Sequence, residues 1–187
     1  SEEEKQHLGL PVFVKPARGG SSIGVSKVNS WEEFPAAVDL ALEDDEKILV
    51  EPEIVGQEVE IGVLHYADGT LLASVPALLA GIDDSDEGFY GFDTKYLDNV
   101  VTAEIPAPFT PELTEKLRDM AVRAFEALNC EGLSRVDFFV TEDSVYINEI
   151  NTLPGFTPIS MYPQVLAASG VEYPALLEAL IEQALAK

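Results

Sequence analysis

The residues whose types and spacing best suit chemistry lie between positions 145 and 156, Val-Tyr-Ile-Asn-Glu-Ile-Asn-Thr-Leu-Pro-Gly-Phe. Strand alternation predicts Val145, Ile147, Glu149 and Asn151 on one face and Tyr146, Asn148 and Ile150 on the other. A carboxylate and a carboxamide two residues apart at the end of an apolar strand aim two oxygens at one point, which suits a hard cation. Just upstream, Ser-Arg-Val-Asp-Phe-Phe-Val at 134–140 reads as a second strand with Arg135, Asp137 and Phe139 sharing a face, joined to the first by the turn-rich Thr141 to Ser144.

Asp137 opposite Glu149 would set like charges across a ladder, so a positive charge should lie between them. Asp, Glu and Asn oxygens with no His or Cys nearby select Mg²⁺ or Mn²⁺. Side-chain parity adds a demand: the two acids face one another only if the connecting loop is odd, three or five residues long. The pattern also fits a hairpin whose polar face is simply solvated.

The elements that must position these residues come from a chain of 187 residues, long enough for one good core or two small ones. With 11 Lys and Arg against 34 Asp and Glu, the net charge of −23 argues against nucleic acid and anionic membranes as partners. A nucleotide would need local cations and a divalent ion against that field. One cysteine, Cys130, excludes an internal disulfide framework and fits a reducing, cytoplasmic setting. No apolar run is long enough to span a bilayer.

Along the chain, residues 1–7 read as a frayed polar end. Leu10 to Pro16 reads as a strand, and Ala-Arg-Gly-Gly-Ser-Ser-Ile-Gly at 17–24 as a hairpin loop leading into a strand at 25–28. Its glycines and hydroxyls could cradle phosphate oxygens with Lys15 as a point charge, or form a flexible tip; the Gly-Lys-Ser/Thr ending of a P-loop is absent. Ser30 caps a helix with Phe34, Ala37, Val38, Ala41 and Leu42 facing inward. Strands follow at 47–51 and 57–64, then an apolar strand at 71–79. Residues 81–99 form the longest irregular stretch and read as a lid carrying Tyr90, Lys95 and Tyr96. Thr110-Pro111 opens the clearest helix, Ser160 a short one ending at Gly170, and Pro174 a final one. This order predicts an α+β chain of two lobes, 1–80 and 81–187, the second carrying the lid.

Val14-Lys15-Pro16-Ala17-Arg18-Gly19-Gly20-Ser21-Ser22, Phe89-Tyr90 with Lys95-Tyr96, Arg135-Val136-Asp137 and the run from Asn148 to Thr157 together resemble the D-alanine–D-alanine ligases of the ATP-grasp superfamily, from about Gly9 to the C-terminus. The resemblance implies an ATP-grasp fold of two α+β subdomains clamping ATP. It implies that Lys15, Ser22 and Lys95 contact phosphates, Glu51 and Ile54 the adenine edge, and Glu58 the ribose. Asp137, Glu149 and Asn151 would ligate two Mg²⁺ or Mn²⁺ ions. Arg135 and the Gly155 backbone would stabilise an oxyanion, Ser21 would belong to a loop over the phosphates and substrate that Tyr96 helps to anchor, and Ser160 with Met161 would hold the carboxylate of the second D-alanine.

The implied reaction joins two D-alanines through an acyl phosphate for peptidoglycan precursor synthesis. The family also has an N-terminal domain and commonly forms homodimers, so a further domain and a homodimer are expected partners. A nucleotide-binding module without turnover and a D-alanine–D-lactate ligase are the alternatives.

Overall fold

The computed structural model describes residues 1–80 and 102–186, which fall into two compact units, 1–55 and 56–80 with 102–186. Tyr90, Lys95 and Tyr96 lie outside the described residues.

The first unit is a three-stranded antiparallel sheet in the order β2-β1-β3, built from β1 (Val12–Pro16), β2 (Ser26–Val28) and β3 (Ile48–Pro52). Alternation along β1 sends Val12 and Val14 into a core with Val28, Ala37 and Ala41, and leaves Phe13 and Lys15 on the other face. Helix α2 (Phe34–Asp44) covers the apolar face through Phe34, Ala37, Val38 and Ala41. It starts later than Ser30. Glu33 is its N-cap, and the Glu33 carboxylate reaches back to accept from the Asn29 amide at 3.0 Å. Leu42, expected inward, is exposed, because the helix presents only a narrow stripe to a small sheet. The N-terminal residues are helical as well: α1 (Glu2–Leu8) is held by a capping box between Ser1 and Glu4.

The second unit is a larger antiparallel sheet in the order β7-β6-β4-β8-β9, with β5 also paired to β4. Its strands are β4 (Gln57–His65), β5 (Leu71–Ala73), β6 (Ala77–Ala80), β7 (Thr102–Glu104), β8 (Leu133–Val140) and β9 (Val145–Asn151). The apolar run at 71–79 is two strands, not one: Pro76 has no amide to donate, and the Ser74 hydroxyl accepts from the Gly62 amide in the gap. The sequence division at 80/81 is likewise not the one observed. Strand β4 pairs with β8 from Gln57↔Val140 to Leu64↔Leu133, so residues 56–80 fold with the C-terminal part.

Two cores flank this sheet. On one face, α3 (Pro111–Ala127) brings Leu117, Ala121 and Phe125 onto Val59, Ile61, Val136 and Phe138. At one end of the opposite face, α4 (Met161–Ala168) and α5 (Tyr173–Leu185) pack Tyr162, Leu166 and Leu176 around Leu64 and Ala77. Gly62 makes room for α4: a Cβ there would lie 2.5 Å from Leu166 Cδ2 and 3.1 Å from the Tyr162 ring. The rest of that face carries the polar residues described next.

Candidate active site

Strands β8 and β9 are joined by residues 141–144, since Val140 pairs with Val145. That loop is even, which by parity alone would turn Glu149 away from Asp137. The pairing is observed nonetheless, because the register shifts by one between Phe138↔Ile147 and Asp137↔Glu149 and makes Asn148 the extra residue of a β-bulge. The predicted face of β9 is corrected accordingly: Val145 and Ile150 both pack on the α3 core, while Glu149 and Asn151 join Arg135 and Asp137 on the other side.

Two successive cross-strand rows result. One is Glu60↔Asp137↔Glu149 and the next is Gly62↔Arg135↔Asn151. The Arg135 guanidinium donates from Nε to Asp137 Oδ1 and from Nη2 to Asp137 Oδ2, both at 2.7 Å, a fork matched to a carboxylate. Asn151 Nδ2 donates to Asp137 Oδ2 at 3.0 Å and lies 3.4 Å from Glu149 Oε1. Burial alone would disfavour the charge on Arg135; the hydrogen bonds and charge of Asp137, with Glu60 and Glu149 behind it, outweigh burial and raise its pKa.

Glu60 was not foreseen. It is 3% exposed, and its Oε2 lies 3.1 Å from Arg135 Nε. The signal was present in the sequence, since Glu60 sits two residues beyond Glu58 on a strand already recognised and so shares its face.

Asp137, Glu149 and Asn151 are thus gathered at hydrogen-bonding distance on one sheet face, all oxygen-bearing, in keeping with a hard divalent cation. Among the described residues no three His, Cys, Asp or Glu side chains form a ready cage. The fit rests instead on two carboxylates, a carboxamide and an excess of negative charge: Glu60, Asp137 and Glu149 against Arg135.

Beyond β9, Phe156 is held by aromatic contacts. Phe156 lies 5.9 Å from the Tyr162 ring and 5.7 Å from Tyr173, whose hydroxyl donates to the Phe156 carbonyl at 2.9 Å. Burial pushes the Tyr162 phenol up, and its hydroxyl donates to the Val63 carbonyl. The Ser160 hydroxyl turns back to accept from the Thr157 amide at 3.1 Å, leaving the first amides of α4 without a side-chain cap. Gly155 belongs to the same turn, with Ser160 Oγ 3.0 Å from where its Cβ would be, and Met161 opens the helix.

In the first unit, Lys15 and Glu51 lie on one face of the sheet and pair at 2.7 Å, Nζ to Oε2. Ile54 follows β3 in the connector to Gly56, and Glu58 stands opposite Phe139 at the start of β4. Ser21 and Ser22 both adopt positive φ, 55° and 57°, a costly conformation for side-chain-bearing residues that concentrates at functional loops. The base of that loop is tied to the α2–β3 turn. Asp45 accepts from the Arg18 amide at 2.9 Å, from Arg18 Nε at 3.0 Å and Nη2 at 2.7 Å, and from the Lys47 amide at 3.0 Å. Asp45 was also missed, because within Glu-Asp-Asp-Glu it reads as one more solvated acid.

This antiparallel α+β architecture, with an Arg-x-Asp strand beside a Glu-x-Asn strand, is of the ATP-grasp class. The match to known proteins is specific: residues 1–182 fit the family described as D-ala D-ala ligase C-terminus, and the chain belongs to that family. It is 66% identical over 185 residues to the D-alanine–D-alanine ligase of Corynebacterium efficiens, covering 99% of this chain and 51% of the relative. It is 52% identical to the D-alanine–D-alanine ligase of Mycolicibacterium smegmatis, covering 99% of this chain and 50% of that protein. Among solved structures, it is similar to the VanG D-Ala:D-Ser ligase of Enterococcus faecalis, with a TM-score of 0.82, 34% identity, and coverage of 97% of this chain and 52% of that one. The D-alanine–D-alanine ligase of Bacillus anthracis complexed with ATP gives a TM-score of 0.78 at 26% identity, covering 99% of this chain and 56% of that one. The chain therefore spans about half the length of the relatives it matches. No helix among the described residues is long and apolar enough to cross a membrane.

Proposed function

We propose that the protein to which this chain belongs joins two D-alanines at the expense of ATP, in the cytoplasm, to supply a dipeptide for peptidoglycan precursors. The observation that carries this reading is the set Arg135, Asp137, Glu149 and Asn151 on one sheet face of a chain belonging to the ligase family. Asp137, Glu149 and Asn151 would hold Mg²⁺, one or two ions. When bound, the metal would neutralise phosphate charge and align the transferred group.

The chain's own residues then divide the work. Lys15, with Ser21 and Ser22 in their left-handed turn, would contact phosphate oxygens, Lys95 would join them, and Glu51, Ile54 and Glu58 would hold the adenine and ribose. The carboxylate of the first D-alanine attacks the γ-phosphorus, and the bond to ADP breaks with its electrons leaving on ADP. The amine of the second D-alanine, its carboxylate held at the uncapped start of α4 by Ser160 and Met161, attacks the acyl carbon. Arg135 and the Gly155 amide would stabilise the oxyanion until the acyl carbon–oxygen bond breaks, its electrons leaving on phosphate, which takes up the proton that the amine gives up. Tyr96 would help close the site against water.

The test is ADP release from Mg·ATP with and without D-alanine, with the dipeptide identified by mass. D-alanine-dependent ADP release with dipeptide is the expected result. ATP binding with no D-alanine-dependent turnover by the protein would reject it in favour of a nucleotide-binding module.

A further inference from the structure

Arg135 lies between two carboxylates that approach the same N–H. Its Nε hydrogen bonds Asp137 Oδ1 at 2.7 Å while Glu60 Oε2 lies 3.1 Å from the same nitrogen. The three groups are well removed from water, with side-chain exposures of 16% for Arg135, 13% for Asp137 and 4% for Glu60. A carboxylate this deeply buried is costly unless it has a charged partner, and on a sheet row that already holds Asp137 and Glu149 the cost rises.

Among the described residues, the row contains three carboxylates, Glu60, Asp137 and Glu149, and the adjacent row one guanidinium, so these four groups together carry two negative charges in excess. One divalent cation would balance these four groups only if Glu60 is counted. The same cation competes with Arg135 for the oxygens of Asp137, since both bonds of the Arg135 fork end on that carboxylate. Something must hold the guanidinium in the site once Asp137 turns to metal, or it would swing to solvent and no longer reach a reacting oxygen.

We propose that Glu60 is the positioning residue for Arg135: it takes over the guanidinium when a divalent cation engages Asp137. This inference rests on the reading of Asp137, Glu149 and Asn151 as the metal ligands. Glu60 touches neither metal nor substrate in this account. It acts through Arg135, handing its Nε–H from one carboxylate to the other with a shift of a few tenths of an ångström in separation.

The test follows the Arg135 Nε–H by ¹⁵N NMR in the protein, with and without Mg²⁺ and a non-hydrolysable ATP analogue, while Mn²⁺ binding is followed by EPR. In the wild type the Nε–H stays protected from exchange after Mg²⁺ is added. In Glu60→Gln it is protected without Mg²⁺, by Asp137, and exchanges about tenfold or more faster with Mg²⁺, the loss of one buried charge-assisted hydrogen bond. Glu60→Asp, which restores the charge on a shorter stem, recovers part of the protection. Protection retained in Mg²⁺-loaded Glu60→Gln overturns the proposal alone. If Glu60→Gln does not fold, the wild type still decides: loss of Nε–H protection on adding Mg²⁺ overturns it. Absence of Mn²⁺ binding in the wild type overturns the metal reading, and the proposal with it.

Discussion

Glu149 stands directly opposite Asp137 across the β8–β9 ladder because Asn148 forms a bulge between Ile147 and Glu149. One inserted residue changes which face every later side chain occupies, so it moves Glu149 and Asn151 off the α3 core and onto the face of Arg135. Removing Asn148 is therefore expected to be tolerated. With Ile147 followed directly by Glu149, a regular ladder still pairs Glu149 with Asp137. The deletion variant should fold and keep Mg²⁺-dependent ATP affinity within about tenfold, a change of about 1.4 kcal/mol. Loss of binding beyond that in a folded variant would show that the bulge aims the ligands and does more than set their parity.

Asp45 anchors the glycine-rich loop from outside it, through the Arg18 side chain and amide and the Lys47 amide. Its hydrogen bonds with the Arg18 guanidinium, then that with the Lys47 amide, hold its carboxyl well below the usual carboxylate range. A depressed folded-state pKa contributes stability that is complete above the unfolded value, about 4, and fades as pH falls toward the folded one. Thermal unfolding of wild type and Asp45→Asn should therefore differ by a constant amount from pH 7 to 5, and the gap should close below about pH 4. A gap that widens with acid would contradict the assignment.

Gly62 lets α4 approach β4. An alanine there would place its Cβ 2.5 Å from Leu166 Cδ2 and against the Tyr162 ring, so Gly62→Ala should cost about 1–3 kcal/mol by overpacking. Urea unfolding measures this. A variant as stable as wild type would mean that α4 repacks freely, and would weaken the argument that its first turn is held in place.

How much of this was legible in the sequence depends on range. Patterns confined to one element were readable: Thr110-Pro111 opens α3, Lys15 lies on a strand before a glycine-rich hairpin, and Arg135 shares a face of β8 with Asp137. What failed needed knowledge of pairing. The bulge at Asn148 obeys no local rule, the membership of 56–80 in the C-terminal unit follows from the β4–β8 ladder, and Glu60 matters only because Asp137 is its cross-strand neighbour. Asp45 shows the same limit, being one of several acids in composition and a four-bond anchor in space.

Ser160 accepts from the Thr157 amide at 3.1 Å and lies 2.8 Å from the Thr157 hydroxyl, tying the turn after β9 to the start of α4. In the proposed reaction Ser160→Ala should raise the KM for the second D-alanine about tenfold, roughly one hydrogen bond to a charged group, with little change in the KM for ATP. Equal losses for both substrates would argue for a general loosening of the turn.

The proposal on which the rest depends is that Asp137, Glu149 and Asn151 hold a divalent cation that supports nucleotide binding. Calorimetric titration of ATP into the protein, with and without Mg²⁺, tests it in Asp137→Asn and Glu149→Gln. The account predicts that both variants keep the wild-type circular dichroism and lose the Mg²⁺-dependent part of the affinity, at least about tenfold. Mg²⁺-dependent affinity equal to wild type in either folded variant would contradict it.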